Sequence, residues 1–391
     1  MVDESTIMDF ENRIQYLRRT DESNYSLLKR IFRFDSQTGS QVIPQSFQSK
    51  VLDYFGRRDS SGNIMETPED VVERIEKQKI IKIINIWTGE STLFNSLRAD
   101  RPGISVADFE KEKKYVHGLI EDSEKGCDFC HPEKYTPEDV FGRIQGKHSV
   151  TAANIAKYDV WSSLVIFEDH NPLKFTLDEF DDYLKTSFQW FEAVNNNNPQ
   201  YIYPFFIWNC LPRAGASQVH GHCQILMSKE PYAGVQTLIN AYQNYKKENS
   251  DDYFHDLYQA HHSLGLSHKN GDSLFFANTT PIKEKEIVII SRNPSKNYKS
   301  AETIFKILRC FIDVMGVFNF NLSISCPPIN NQEKFPYITR IVDRGSLFKS
   351  TADMGGMELY GSTVVADDPY KIIKILKDVF QNRKNMWDLH E

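Results

Sequence analysis

Three polar residues, His220, His222 and Gln224, stand two positions apart in the stretch AGASQVHGHCQILMS, Ala214 to Ser228. In a β-strand successive side chains alternate between faces, so this spacing aims all three at one side. A second chemically versatile group lies upstream, where Cys127 and Cys130 follow a glycine that lets both sulfurs curl toward one point. Two thiolates need two more ligands for a tetrahedral zinc site, commonly histidines. His170, at the end of the apolar SSLVIFEDH, and His220 are well placed to supply them, with His131 and His148 as alternatives.

If His220 holds a metal, His222 is released for different work on the same face. A neutral imidazole is a good nucleophile toward phosphorus when one ring nitrogen is held and the other is free. Gln224 would set an amide beside the reacting phosphoryl group. An amide has no proton to give at neutral pH, so this face lacks a general acid. The chemistry therefore favours leaving groups that are already stable anions, such as a sugar phosphate or a nucleotide phosphate. Just upstream, Asn209, Gly215 and Ser217 occupy a tight loop. Glycine there permits close backbone approach, and Asn and Ser offer donors to phosphate oxygens.

The elements that must hold these residues can be read around them. TLDEFDDYLKTSFQWFEAV predicts a helix, with Thr176 and Glu179 as a capping box and Phe180, Tyr183, Leu184, Phe188 and Phe191 as one apolar stripe. SSLVIFEDH, YIYPFFIWN and HCQILMS read as strands. Residues 1 to about 80 read as mainly helical, with FDSQTGSQVIP as a turn-rich interruption, and a long helical region is expected from about 233 to 262. The second half repeats the flavour, with strands at SLFFANTTP, KEIVIIS, FNLSISC and PYITRIV and helices at AETIFKILRCFIDVMG and DPYKIIKILKDVFQNR. Two similar α+β units are expected, although no repeat is obvious by residue identity.

Composition excludes several function classes. Hydrophobic content of 40% and aromatic content of 13% suffice for a sizeable core, while 46 basic against 53 acidic residues leave a net charge of −7. No charged tail marks a nucleic-acid binder, and KEKKY at Lys111 to Tyr115 reads as a solvated helix face. No run approaches the roughly 20 apolar residues of a membrane span, and the N-terminus lacks the apolar core of a signal peptide. Six cysteines with one closely spaced pair fit a reducing, cytoplasmic setting and a metal site better than a disulfide framework.

AGASQVHGHCQI resembles the active-site motif of the galactose-1-phosphate uridylyltransferase family, a branch of the histidine-triad superfamily, in which Gly-x-Ser precedes His-Pro-His-x-Gln. NIWTGESTLFNSLRADRPG is similar to that family's Asn-Pro-Leu-Thr-Gly-Glu opening and its Arg-x-x-Arg-Pro segment, through Asn85, Thr88, Gly89, Glu90, Arg98, Arg101 and Pro102. CDFC resembles the zinc Cys-x-x-Cys, LVIFEDHNPL the strand ending in the third ligand, and ADMGGMELYG the segment carrying a sugar-contacting glutamate, here Glu358. The resemblance runs in order from about residue 80 to 380, and its motifs are specific together and weak singly.

It implies two tandem histidine-triad-like units, each an antiparallel sheet with packed helices. The catalytic unit would span 81–232 and a second unit 233–391, behind an extension of residues 1–80. It implies His222 as nucleophile, Gln224 as its phosphoryl-binding partner, and Zn2+ on Cys127, Cys130, His170 and His220. Arg98, Arg101, Asn209 and Ser217 would contact phosphates, and Asn154 the nucleoside. The implied activity is hexose-1-phosphate uridylyltransferase-like, as in galactose metabolism. A nucleotide sugar and a sugar 1-phosphate would be the substrates, with no nucleic acid or membrane partner, and the family's habit of dimerising implies a homodimer. A phosphorylase of ADP-sugars or dinucleoside polyphosphates is the first alternative, since AGAS looks somewhat more like those relatives. A non-catalytic zinc- and nucleotide-binding protein is the second. Three departures stand out. Gly221 replaces the family's proline, which is expected to loosen the backbone. KFPYITR replaces a histidine-rich segment, so no metal is expected in the second unit. The first 80 residues have no counterpart.

Overall fold

The structure is a computed structural model that describes residues 6–59, 61–98, 106–330, 334–348 and 355–382. Its first residues form helices α1 (Phe10–Thr20) and α2 (Glu22–Ile31), strand β1 (Phe32–Ser40), and helices α3 (Gln45–Phe55) and α4 (Pro68–Glu76). Local chemistry starts these helices: the Asp21 side chain caps α2, and Thr67 caps α4 with Pro68 at its first turn. Strands β2 (Lys77–Asn85) and β3 (Ser91–Phe94) follow, then helices α5 (Val106–Ser123) and α6 (Pro132–Tyr135).

Strands β4 (Ser149–Ala153) and β5 (Trp161–Phe167), helix α7 (Leu177–Asn197), and strands β6 (Tyr203–Cys210) and β7 (His222–Ser228) make the first unit. Helices α8 (Ala233–Asn249) and α9 (Tyr253–Ser263) lead to strands β8 (Ser267–Asn270), β9 (Ser273–Ala277) and β10 (Ile287–Ser291). Helix α10 (Tyr298–Arg309), strands β11 (Phe320–Ser325), β12 (Tyr337–Asp343) and β13 (Ser362–Val365), and helix α11 (Pro369–Asn382) complete the chain. No helix of the described residues is long and apolar enough to cross a membrane.

The fold is α+β, with two tandem units of one topology. A nine-stranded sheet runs β4-β5-β7-β6-β11-β12-β10-β9-β8. Each half holds two strands, a helix and two more strands, in the spatial orders β4-β5-β7-β6 and β9-β10-β12-β11. They meet where β6 pairs antiparallel with β11, Asn209 opposite Asn321. The repeat has a residue-level trace. Asn171-Pro172 and Asn293-Pro294 follow corresponding strands, and each asparagine oxygen accepts the backbone N–H two residues on, at 2.9 Å.

Helix α7 starts with the expected capping box of Thr176 and Glu179, and Phe180, Tyr183, Leu184 and Phe191 of its stripe are buried. The long helical region divides into α8 and α9, with Ser250 in the left-handed conformation at the break. FDSQTGS corrects the expectation of a turn-rich interruption: it is most of β1, paired with β2 over its whole length. Its polar, largely exposed residues carry no apolar alternation, and its strand state comes from β2 beside it. The small sheet runs β1-β2-β3-β13.

The Asn85-to-Glu90 motif builds the β2–β3 turn. Asn85 Oδ1 accepts from the Trp87 N–H at 3.1 Å, and Gly89 has φ +76°. This turn delivers Glu90 to Arg340 on β12, at 2.5 Å, while the fully buried Glu286 lies 3.3 Å from the same guanidinium. Burial pushes the Glu286 carboxyl up, and Arg340 opposes that shift. Arg340→Met should therefore strand a buried carboxylate and destabilise the chain by about 3–5 kcal/mol, read as a shifted denaturant midpoint. A shift worth under about 1 kcal/mol would mean that solvent reaches Glu286.

Candidate active site

Register places the chemistry. β7 is buried along its length between β5 and β6, with Gln224 opposite Leu164 and Ile207, and His222 opposite Ile166. Cys223, Ile225 and Met227 point into the main core, so His222 and Gln224 point to the other face. Leu164 and Ile166 form a small separate cluster there with Val150 and Ala152, against which Phe129 packs.

Four expected ligands converge beside this strand. Gly126 (φ +75°) turns the chain after α5, and a short 3-10 turn, Asp128–Cys130, brings the second sulfur round. The ligand atoms of Cys127, Cys130, His170 and His220 all lie within 4.8 Å of one another. Nδ1 of His220 is 3.5 Å from each sulfur, and Nδ1 of His170 is 3.4 Å from Cys130 Sγ. The two Nδ1 atoms are 3.1 Å apart. Metal bonds of about 2.0 Å to nitrogen and 2.3 Å to sulfur imply tetrahedral edges of roughly 3.3–3.8 Å. The donor set fits a zinc ion on both type and spacing.

The outer nitrogens strengthen that fit. His220 Nε2–H donates to the Phe167 carbonyl at 2.9 Å, and His170 Nε2–H to the Ile120 carbonyl at 3.1 Å. Both Nδ1 atoms then present lone pairs to each other, an arrangement that calls for a cation between them. Burial and then the neighbouring Cys127 push the Cys130 thiol up to about 11. The rival histidines stand elsewhere: His131 is exposed, and His148 lies at 3.3 Å from both Glu168 and Asp178 on the surface.

His222 is held differently from His220. Its Nδ1–H donates to the His220 carbonyl at 2.8 Å, and Nε2 makes no hydrogen bond among the described residues. Burial holds its pKa below the usual histidine value, so the imidazole stays neutral and nucleophilic. A cleft of about 260 Å³ opens beside it, lined among others by Asp128, Phe129, Tyr135, Asn154, Tyr158, Ser217, Gln218 and Gln224. The Gln224 Oε1 atom is buried without a hydrogen-bond partner.

The other described residues among the expected contacts do not line this cleft. Asn209 accepts from Asn321 Nδ2 at 2.7 Å, across the join between the units. Arg98 lines a separate cleft with Phe47, Val51 and Leu97, near the small sheet. Glu358 pairs with Lys283 at 2.7 Å in another cleft, with Asn321 and Arg344. Arg101 lies outside the described residues. Phe129, Tyr135 and Tyr158 were not singled out from sequence, although an aromatic between two ligand cysteines is itself a signal: the Phe129 ring meets His222 edge-to-face at 5.3 Å.

Gly221 corrects another expectation, for the backbone between the histidines is tied at both sides. Its N–H donates to the His170 carbonyl at 3.1 Å, and its carbonyl accepts from the Phe167 N–H at 2.9 Å.

No protein-family model matches the sequence, and a search of curated proteins returns no match. Solved structures do match. An ADP-glucose phosphorylase from Arabidopsis thaliana, with bound ADP-glucose, superposes with a TM-score of 0.59 at 15% identity, covering 76% of this chain and 99% of that one. A GalT-like protein from Arabidopsis thaliana gives 0.53 at 16% identity, covering 65% and 92%. A uridylyltransferase gives 0.51 at 13% identity, covering 61% and 87%. The chain has the uridylyltransferase-like fold. With it, the tandem units expected from the His-x-His-x-Gln resemblance stand as the architecture of this chain.

Proposed function

We propose that the chain is a nucleotidyltransferase acting on nucleotide sugars through a covalent nucleotidyl-His222. The observation that carries this reading is the tether on His222: Nδ1–H is engaged by a backbone carbonyl, and the ring lines a cleft that Gln224, whose Oε1 has no hydrogen-bond partner, lines as well. The Nε2 lone pair would form a bond to the α-phosphorus, and the bond from that phosphorus to the bridging oxygen would break. Sugar 1-phosphate leaves as an anion and needs no proton, which suits a face without a general acid. The His220 carbonyl holds the Nδ1 proton as charge builds on the ring. A second sugar 1-phosphate, through a phosphate oxygen, then attacks the phosphorus and releases Nε2.

Asn154 and Ser217, two of the polar residues that line the cleft, would contact the nucleotide. Zinc on Cys127, Cys130, His170 and His220 would supply a structural tie that fixes the start of β7. Arg98, Arg101 and Glu358 do not enter the reading, since the first and last line other clefts and Arg101 is undescribed. A phosphorylase is the second reading, favoured by AGAS and by a superposition that takes in 99% of an ADP-glucose phosphorylase and 76% of this chain. It uses the same first step, with inorganic phosphate as acceptor.

The test is to incubate the protein separately with UDP-sugars and ADP-sugars and weigh the intact chain. An acid-labile UMP or AMP adduct is expected, and the acceptor that discharges it, hexose 1-phosphate or phosphate, separates the two readings. No adduct from either class sinks both. Gln224→Ala should leave the adduct detectable but slow its formation by about 10²–10³-fold, the usual loss for one phosphoryl-oxygen donor. An unchanged rate would remove Gln224 from the mechanism.

A further inference from the structure

The residue between the two histidines is glycine for lack of space. Gly221 is absent from the residues with positive φ, so conformational freedom is not what the position requires. A Cβ built on it would lie 2.4 Å from Cδ2 and 3.1 Å from Cγ of Phe167. That ring has nowhere to retreat. It stacks on Tyr183 with centroids 3.7 Å apart and planes 5° apart, and meets Trp208 edge-on at 5.1 Å. Phe167, Tyr183 and Trp208 are all buried.

The same short segment of β5 and its continuation grips the His220–Gly221 stretch three times, once through the His220 ring and twice through the Gly221 backbone. The Phe167 carbonyl accepts from His220 Nε2, the Phe167 N–H donates to the Gly221 carbonyl, and the His170 carbonyl accepts the Gly221 N–H. Proline has no N–H and would lose the last of these. Its ring would also enter the space that Phe167 fills.

We propose that Gly221 and Phe167 form a positioning clamp for His222, replacing the stiffness that proline supplies in the resembled motif by aromatic packing and a backbone hydrogen bond. Gly221 and Phe167 are positioning residues that act through His222. The inference rests on the nucleotidyl-His222 reading only for its functional consequence, because the clamp itself is open to measurement without turnover.

The test uses Gly221→Ala and Gly221→Pro, each alone and in a Phe167→Ala background. Readouts are the melting temperature, bound metal per chain, and the His222 ring N–H resonance in histidine-labelled protein. Each single Gly221 variant should melt lower, lose the slow-exchanging ring N–H signal, and form adduct about 10²-fold more slowly, the scale of a small misplacement. In the Phe167→Ala background, adding Gly221→Ala should cost little further, so the pair is less destabilised than the sum of its parts. Gly221→Pro should keep a residual defect even there, because the N–H to His170 is gone.

Should Gly221→Pro fail to fold, comparison of Phe167→Ala with Phe167→Ala/Gly221→Ala carries the test alone. Strict additivity, or a Gly221→Pro protein with unchanged melting, metal and ring resonance, overturns the clamp. Absence of adduct in the unaltered protein refutes the nucleotidyl-histidine and leaves the clamp to be judged by its resonance and melting. Adduct formation together with additive variants refutes the clamp alone.

Discussion

His222→Gly should keep its fold and its metal yet form no nucleotidyl adduct, with transfer reduced by on the order of 10⁴-fold or more, as for other removed nucleophiles. The separation follows from geometry: His222 Nδ1 faces the His220 carbonyl, and the cluster of four ligand atoms does not include it. A nucleotide imidazolide should restore turnover by filling the vacated space. In the unaltered protein, burial lowers the His222 pKa from 6.5, so the neutral form persists into mild acid. Adduct formation should thus persist to lower pH than an ordinary histidine would allow, and decline only once the medium is acidic enough to protonate the buried ring. Ordinary transfer by His222→Gly, followed by nucleotide release or acceptor consumption, would end the covalent reading.

Cys130→Ser should lose metal and stability together. The chain as purified should carry about one zinc ion, on the four-ligand logic, and the variant close to none. Binding of structural zinc is folding free energy, so melting should fall sharply, and a chelator should reproduce the loss in the unaltered protein. Activity should follow as a consequence, since His220 stands two residues ahead of β7 and Phe129, between the cysteines, packs on His222. Uptake of the ion should release protons, because burial and Cys127 keep the Cys130 thiol protonated up to about pH 11 without it. Affinity should therefore weaken as pH falls. A metal-free native protein with unchanged melting in Cys130→Ser would show that the four residues are only a packed cluster.

Much of the site was legible because its signals are local. A period of two puts His220, His222 and Gln224 on one face of any strand they occupy. Cys127 and Cys130 are joined by too short a span to point far apart, and Thr176 with Glu179 starts α7 through contacts three residues apart. Asn85, Thr88 and Gly89 likewise carry their own turn.

What depended on distant partners was not legible. FDSQTGS has no apolar alternation and is a strand because β2 lies beside it. Glu90 and Arg340 are 250 positions apart, and their pairing exists only once the fold brings β12 within side-chain reach of the β2–β3 turn. The sequence alone thus determined which side chains share a face and which local turns and helix starts form, because these depend on bond geometry and spacing within a few residues. The tertiary structure decided that β6 joins β11 into one sheet, that Arg98 and Glu358 line other clefts, and that Gly221 is wedged against Phe167. These are outcomes of long-range packing, where the shape of a remote surface sets how much room a residue has.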